Sequence, residues 1–387
     1  MDRARGNRWT AVVVISVAGL VAAACTSDSG TKKEGAGTTS SSSAVAVASD
    51  VPSLFATDAL TEAISTVDCT LENGSESTCY SITVHSDPTT VEPGPFCPTT
   101  IDSDDSGIFT WDGDAPGLYA LNRPFWELLA SQGYAFANDD GTINVADPAG
   151  AAPSGDACLQ ATADDSYTLT ALVPVTPEVL DTPTELDTVA QVGIALDGVT
   201  VFGDAPSGTS GAIPALDPCG GHHDPSGYYH WHFGSVSIQT NLDATGVART
   251  CSETQDAGAL FGFAYDGYAI YGPEDDGTTP TDLDECNGHT SDTAELGSVY
   301  HYHLSFESPN LPPCRVGATA DGKLTSADNP DVSLPDGGGP GGAGGAPGGG
   351  PPGGAGRRPP GAPPPPGQVQ AASHAHAHNG SKPHTHA

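Results

Sequence analysis

Two short stretches of this chain place histidines two residues apart: YYHWH at 228–232 and VYHYH at 299–303. On an extended strand, residues two apart project to the same face. His230 and His232 therefore point together, as do His301 and His303, while Tyr229, Trp231, Tyr300 and Tyr302 face the other way. Two imidazoles on one face can converge on a single ion, each nitrogen about 2.0–2.1 Å from it. A third histidine precedes each stretch, His222 after CGG and His289 after CNG. Each trio could hold a transition metal and leave one coordination position open, the form of a catalytic zinc or a copper site. The expected ligands are His222, His230 and His232 in one set and His289, His301 and His303 in the other. Zinc or copper is the expected ion, since imidazole suits these metals and oxygen ligands suit calcium and magnesium. Asp217 and Asp284 are expected to accept hydrogen bonds from the imidazoles and fix their tautomers. The same residues also admit a structural reading. In it the histidines are neutral and buried, bonded to Asp217, Asp284 or backbone, and hold a loop against a strand.

The two stretches belong to an internal repeat. GIALDGVTVFG (193–203), LDPCGGH (216–222) and YYHWH recur in order as GFAYDGYAIYG (262–272), LDECNGH (283–289) and VYHYH. Matches of this length in the same order describe a duplicated unit of nearly seventy residues, and two such units commonly pack about a pseudo-two-fold axis. Strand signals dominate the elements that must carry these histidines. GVTVFG, starting at Gly198, and YTLTALVPV, starting at Tyr167, are rich in β-branched and aromatic residues. CTLENGSESTCYSITV alternates on either side of an Asn-Gly turn and predicts a hairpin that Cys69 and Cys79 can clamp. RPFWELLASQG at 123–133 predicts a helix, with proline near its start and Gly133 at its end. The expected fold is mainly β, stapled by disulfides, internally duplicated, with one or few short helices.

GPFCPTTI (94–101), GIALDGVTVFG, LDPCGGHHDPSGYYHWH, YDGYAIYGP, LDECNGH and YHYH followed by LPPC resemble the blocks of the bacterial YHYH-domain proteins. The resemblance spans roughly residues 65–317. It implies an exported, often lipid-anchored protein and little about activity, because that family carries no firmly assigned reaction. Trp231 stands where the second copy has a tyrosine, which keeps an aromatic there but not a phenol.

The ends of the chain agree with export. MDRARGNRW is followed by TAVVVISVAGLVAAAC, a basic start, an apolar stretch too short to span a bilayer comfortably, and then Cys25. Residues 1–24 are expected to be a signal peptide. Residues 25–50 are expected to be a lipidated Cys25 with a flexible polar tether, which would place the protein at the outer side of the cell membrane; free secretion is the alternative. Removing Cys25 from nine cysteines leaves Cys69, Cys79, Cys97, Cys158, Cys219, Cys251, Cys286 and Cys314, an even set that predicts four disulfides. No CxxC pair, phosphate loop, dinucleotide fingerprint or nucleophile elbow appears in the body, and no residue is assigned to catalysis.

The body is expected to comprise an N-terminal β-rich part at 51–190 and the duplicated unit at 191–330, its copies at 191–258 and 260–330. Beyond it, 331–387 reads as a Gly/Pro-rich linker ending in a tail with His374, His376, His378, His384 and His386, which suits weak metal capture. The net charge is −36, and only Arg123, Arg249, Arg315 and Lys323 are basic between 51 and 330. Such a body repels nucleic acid. The expected partners are the membrane, through the lipid anchor, and metal ions. The competing function is a surface module for glycan or protein, with Tyr228, Tyr229, Trp231, Tyr300 and Tyr302 as its contact surface. Lone His85 and the extra His223 read as surface residues.

Overall fold

The computed structural model describes residues 51–187 and 189–328. The expected signal peptide, lipidation site, linker and histidine tail lie outside the described residues. The duplicated unit builds one eight-stranded sheet. Its first copy supplies β1 (Gln191–Ala195), β2 (Thr200–Phe202), β3 (Gly221–His223) and β4 (Tyr229–Trp231). The second supplies β5 (Leu260–Ala264), β6 (Ala269–Tyr271), β7 (Gly288–Thr293) and β8 (Gly297–His303). The strand order is β3-β4-β2-β1-β5-β6-β8-β7, the same arrangement read outward from the middle in both directions. In each half the histidine-bearing strand runs parallel to one partner, β2 with β4 and β6 with β8, and antiparallel to the other.

The two halves meet at β1 and β5, which pair antiparallel with Gly193 opposite Ala264, Ile194 opposite Phe263 and Ala195 opposite Gly262. Ile194 and Phe263 occupy the same place in the two copies, so the pseudo-two-fold axis passes through that pair. A Cβ on Gly193 would lie 2.2 Å from the Phe263 carbonyl oxygen, and one on Gly262 would lie 2.3 Å from that of Ile194. Glycine at the head of each GxAxDG block is therefore what lets the two copies join into one sheet.

Both faces of the sheet are covered. On one, a four-stranded antiparallel sheet of Ser65–Thr70, Glu76–His85, Thr168–Pro174 and Leu324–Thr325 packs Tyr80, Ile82, Val84, Leu169 and Val173 against Ile194, Phe202, Phe263 and Tyr271. On the other, Val201, Trp231, Ile270 and Tyr302 pack with Ile238 and Leu242. A third core gathers Phe109, Trp111, Phe125, Trp126 and Leu129. Segments 51–190 and 191–330 are interlaced. Ser207–Gly208 and Ala212–Pro214 pair with Ile108–Trp111 and Ala157–Leu159, and Cys314–Gly317 pairs with Val179–Glu185.

The mainly β, disulfide-stapled fold is the one the chain adopts. Cys69–Cys79 clamps the predicted hairpin, and the other bridges are Cys97–Cys158, Cys219–Cys251 and Cys286–Cys314. Cys219 and Cys286 are repeat equivalents, so the last two bridges each tie the turn before a loop histidine to a segment beyond the histidine strand. The predicted helix is α1 (Arg123–Ser131), capped by Asn122 Oδ1, which accepts from the Phe125 amide. A second helix, α2 (Ser235–Thr245), had no sequence signal. Only Ile238 and Leu242 among its apolar residues are buried, too few for a visible helical stripe.

Candidate functional site

The histidines of each copy meet as the alternation predicts. In the first copy, His230 Nε2 lies 3.1 Å from His232 Nε2, which lies 3.2 Å from His222 Nε2. In the second, His301 Nε2 is 3.0 Å from His303 Nε2, which is 3.2 Å from His289 Nε2. His222 faces His230 across the β3–β4 ladder, and His289 faces His301 across β7–β8. Ligands at about 2.0–2.1 Å from a tetrahedral ion are about 3.3–3.4 Å apart. The two short spacings in each trio are close to that figure and all its ligand atoms lie within 4.8 Å of one another, so each trio could hold a metal ion.

The far nitrogens decide which tautomer each ring adopts. His303 Nδ1 donates to the Gly272 carbonyl at 2.6 Å and His301 Nδ1 to the Val299 carbonyl at 3.1 Å. His289 Nδ1 bonds Asp282 Oδ1 at 3.0 Å. With their Nδ1 protons so used, His301 and His303 present bare Nε2 lone pairs to each other, and His289 lies between the Asp282 and Asp275 carboxylates. In the first copy His232 Nδ1 likewise donates to the Gly203 carbonyl at 2.6 Å, and the His222 ring bonds the Ala215 carbonyl. Burial pushes His222 and His230 well below the usual imidazole range, and His232 and His301 down to about 4. His303 is lowered for the same reason. These rings are neutral at pH 7, so in the first trio no added proton relieves the crowding of the ring nitrogens. A cation would.

The second trio has a fourth member that sequence reasoning missed. Asp275 places Oδ2 3.0 Å from His289 Nε2 and Oδ1 3.7 Å from His303 Nε2. Its four potential ligand atoms all lie within 4.8 Å of one another, as do the three of the first copy. Asp275 sits in a turn with no periodic pattern, bridged to Thr278. One signal was available: the repeat aligns Asp275 with Pro206, a carboxylate in one copy only.

Asp217 and Asp284 do not play the part expected of them. Asp217 accepts from the Cys219 and Gly221 amides and from the Tyr229 hydroxyl. Asp284 does the same with Cys286, Gly288 and Tyr300. These carboxylates hold the turn before the loop histidine to the strand of the other two. The reason is geometric, because the tyrosines facing away from the histidines reach them first. The imidazoles instead use Gly203, Gly272, Val299, Ala215 and Asp282.

The aromatic between each pair of histidines has a matching partner. Trp231 Nε1 donates to Asp197 at 3.0 Å and the Tyr302 hydroxyl to Asp266 at 2.6 Å, both carboxylates lying in the D-G turn of their copy. Burial raises Asp197 to about 6 and lifts Asp266 as well. Trp231 therefore replaces the phenol as donor to the same carboxylate. Tyr228, Tyr229, Trp231 and Tyr302 are all no more than 5% exposed. The expected aromatic contact surface is thus a buried frame for the histidines. His223 also departs from expectation: it is buried, with Nε2 2.8 Å from Asp87 Oδ1, whereas His85 is exposed as expected.

Among known proteins, a family model described as YHYH protein matches residues 170–281, as the motifs led us to expect. The matched stretch contains the whole first trio and ends before His289. No curated protein matches the chain, and no solved structure does.

Proposed function

We propose that this YHYH-domain protein is a cell-envelope metal-binding protein whose two histidine centres each hold one zinc or copper ion. The observation that carries this reading is the second trio. Three imidazoles, two of them with Nδ1 donating to backbone carbonyls, bring Nε2 together beside the Asp275 carboxylate. Buried polar atoms are normally paired, and lone pairs about 3 Å apart lose that pairing unless a cation lies among them. Imidazole with one carboxylate favours zinc or copper over calcium or magnesium. The structural reading explains the Nδ1 bonds to backbone and leaves the facing Nε2 atoms of His301 and His303 without a role.

The test is metal analysis of the full chain carrying alanine at His374, His376, His378, His384 and His386, purified without nickel resin. About two equivalents of zinc or copper are expected. The pairs His230→Ala/His232→Ala and His301→Ala/His303→Ala should each remove one. Protein that is metal-free and cannot be loaded refutes the reading. We also place the protein at the membrane through a lipid on Cys25, supported by the apolar leader and the polar tether. Cys25→Ser should then move it from the membrane fraction to the medium.

A further inference from the structure

The two centres differ in ways the repeat makes easy to read. Aligning FGDAP with YGPED sets Gly203 on Gly272 and Pro206 on Asp275. The second copy therefore offers three imidazoles and a carboxylate, a complete tetrahedral set. Asp275 is itself steadied by the Ser291 hydroxyl at 3.1 Å, and His289 by Asp282 on its far nitrogen. The first copy offers three neutral imidazoles and no carboxylate.

The surroundings differ as well, and independently. Gln191 is 2% exposed, and both of its amide atoms lack a hydrogen-bond partner. It stands opposite Phe202, so the two side chains share a face, and the Phe202 ring lies 4.2 Å from that of His230. In the second copy the equivalent of Gln191 is Leu260. A buried amide without a partner thus stands on the first trio's side of the sheet, where the second copy has an apolar side chain. His222 also lines a cavity of about 220 Å³ with Phe96, Leu159, Gln160 and Pro214.

We infer that the centres are unequal: the first holds its metal with an open coordination position that takes a small exogenous anion, and the second closes that position with Asp275. This rests on the metal-binding reading above. A divalent ion on three neutral imidazoles keeps both positive charges, which favours an anion as fourth ligand. Asp275 neutralises one charge and fills the same place. The first centre is accordingly the one where an outside ligand meets the metal, and the second serves the fold.

The test uses the full chain with the five tail histidines changed to alanine, loaded with Co²⁺ and titrated with azide while the visible d–d bands are followed. His301→Ala/His303→Ala isolates the first centre, and His230→Ala/His232→Ala isolates the second. The first should bind azide at least about tenfold more tightly than the second. Adding Asp275→Ala to the isolated second centre should bring its azide affinity close to that of the first. Where a paired histidine variant does not fold, the protein with both centres intact gives the same answer. About half of its Co²⁺ absorbance should respond to azide, and Asp275→Ala should extend the response to nearly all of it. Equal azide responses from both centres, or no effect of Asp275→Ala, overturn the inference while leaving metal binding in place. Failure of both centres to take up Co²⁺ overturns it together with the reading it rests on.

Discussion

Gly288→Ala should show why glycine precedes the loop histidine in both copies. A Cβ at 288 would lie 2.0 Å from the Tyr300 hydroxyl oxygen and 2.4 Å from its ring carbon Cζ. No rotamer change of a methyl group avoids this, so the tyrosine ring must leave. Overpacking of this kind costs about 1–3 kcal/mol. The displaced hydroxyl also loses its 2.8 Å bond to Asp284, worth about 1 kcal/mol at this partly exposed position. Reduced freedom of the unfolded chain returns about 0.5–1 kcal/mol. The net expectation is a loss of about 1–3.5 kcal/mol, read from urea unfolding of metal-free, disulfide-intact protein by tryptophan fluorescence and far-UV circular dichroism. The decisive arm is the double variant. Gly288→Ala/Tyr300→Ala should be no less stable than Tyr300→Ala alone, because the clash needs both side chains. Additive losses in the double variant would refute the steric argument, as would a single Gly288→Ala loss below about 0.5 kcal/mol.

Two further outcomes follow from the buried carboxylates and histidines. Tyr302→Phe removes a hydroxyl that donates to Asp266 at 2.6 Å and accepts from the Val316 amide at 2.8 Å, so a loss of about 1.5–3 kcal/mol is expected. Trp231→Phe should act in the same direction through Asp197, and an Asp266→Asn background should shrink the Tyr302→Phe effect. The metal-free protein should also lose stability as pH falls from 6.5 towards 4. His232 and His301 stay neutral down to about 4 when folded but take protons near 6.5 when unfolded, worth at most about 3 kcal/mol each. Asp217 opposes this: burial raises it to about 6, so its contribution is full below 3.8 and is lost as pH rises through 6. Asp217→Asn should therefore steepen the acid loss in urea midpoints taken at pH 7, 5.5 and 4.5, and an unchanged slope would contradict the assignment.

The features legible in the sequence are those that local periodicity or repetition encodes. The HxH pairs, the Cys69–Cys79 hairpin and α1 each announce themselves within a dozen residues, and the repeat ties His222 and His289 to their strands. What could not be read depends on which side chain arrives first in three dimensions. Asp217 and Asp284 lie near the loop histidines in sequence, yet Tyr229 and Tyr300 cross the strand to claim them. Asp275 and Asp282 sit in irregular turns, where no pattern points a carboxylate at an imidazole. His223 looks like a spare surface residue until Asp87, far away in the chain, closes over it. The aromatic-rich motif invited a contact surface, but packing of the sheet between two layers turns those rings inward.

The strand order has a consequence for how the two centres relate. From β4 to β8 there are five inter-strand steps, which at about 4.8 Å each separate the centres by roughly 24 Å. Metals that act together on one substrate lie about 3.5–4 Å apart. Ions held at these two trios would be mononuclear, each answering only to its own neighbourhood. Had the halves remained separate chains joined about a true axis, any change at one site would have appeared at the other. Joining them in one polypeptide released that constraint, and a proline in one copy can stand where a carboxylate stands in the other without either half losing its partner.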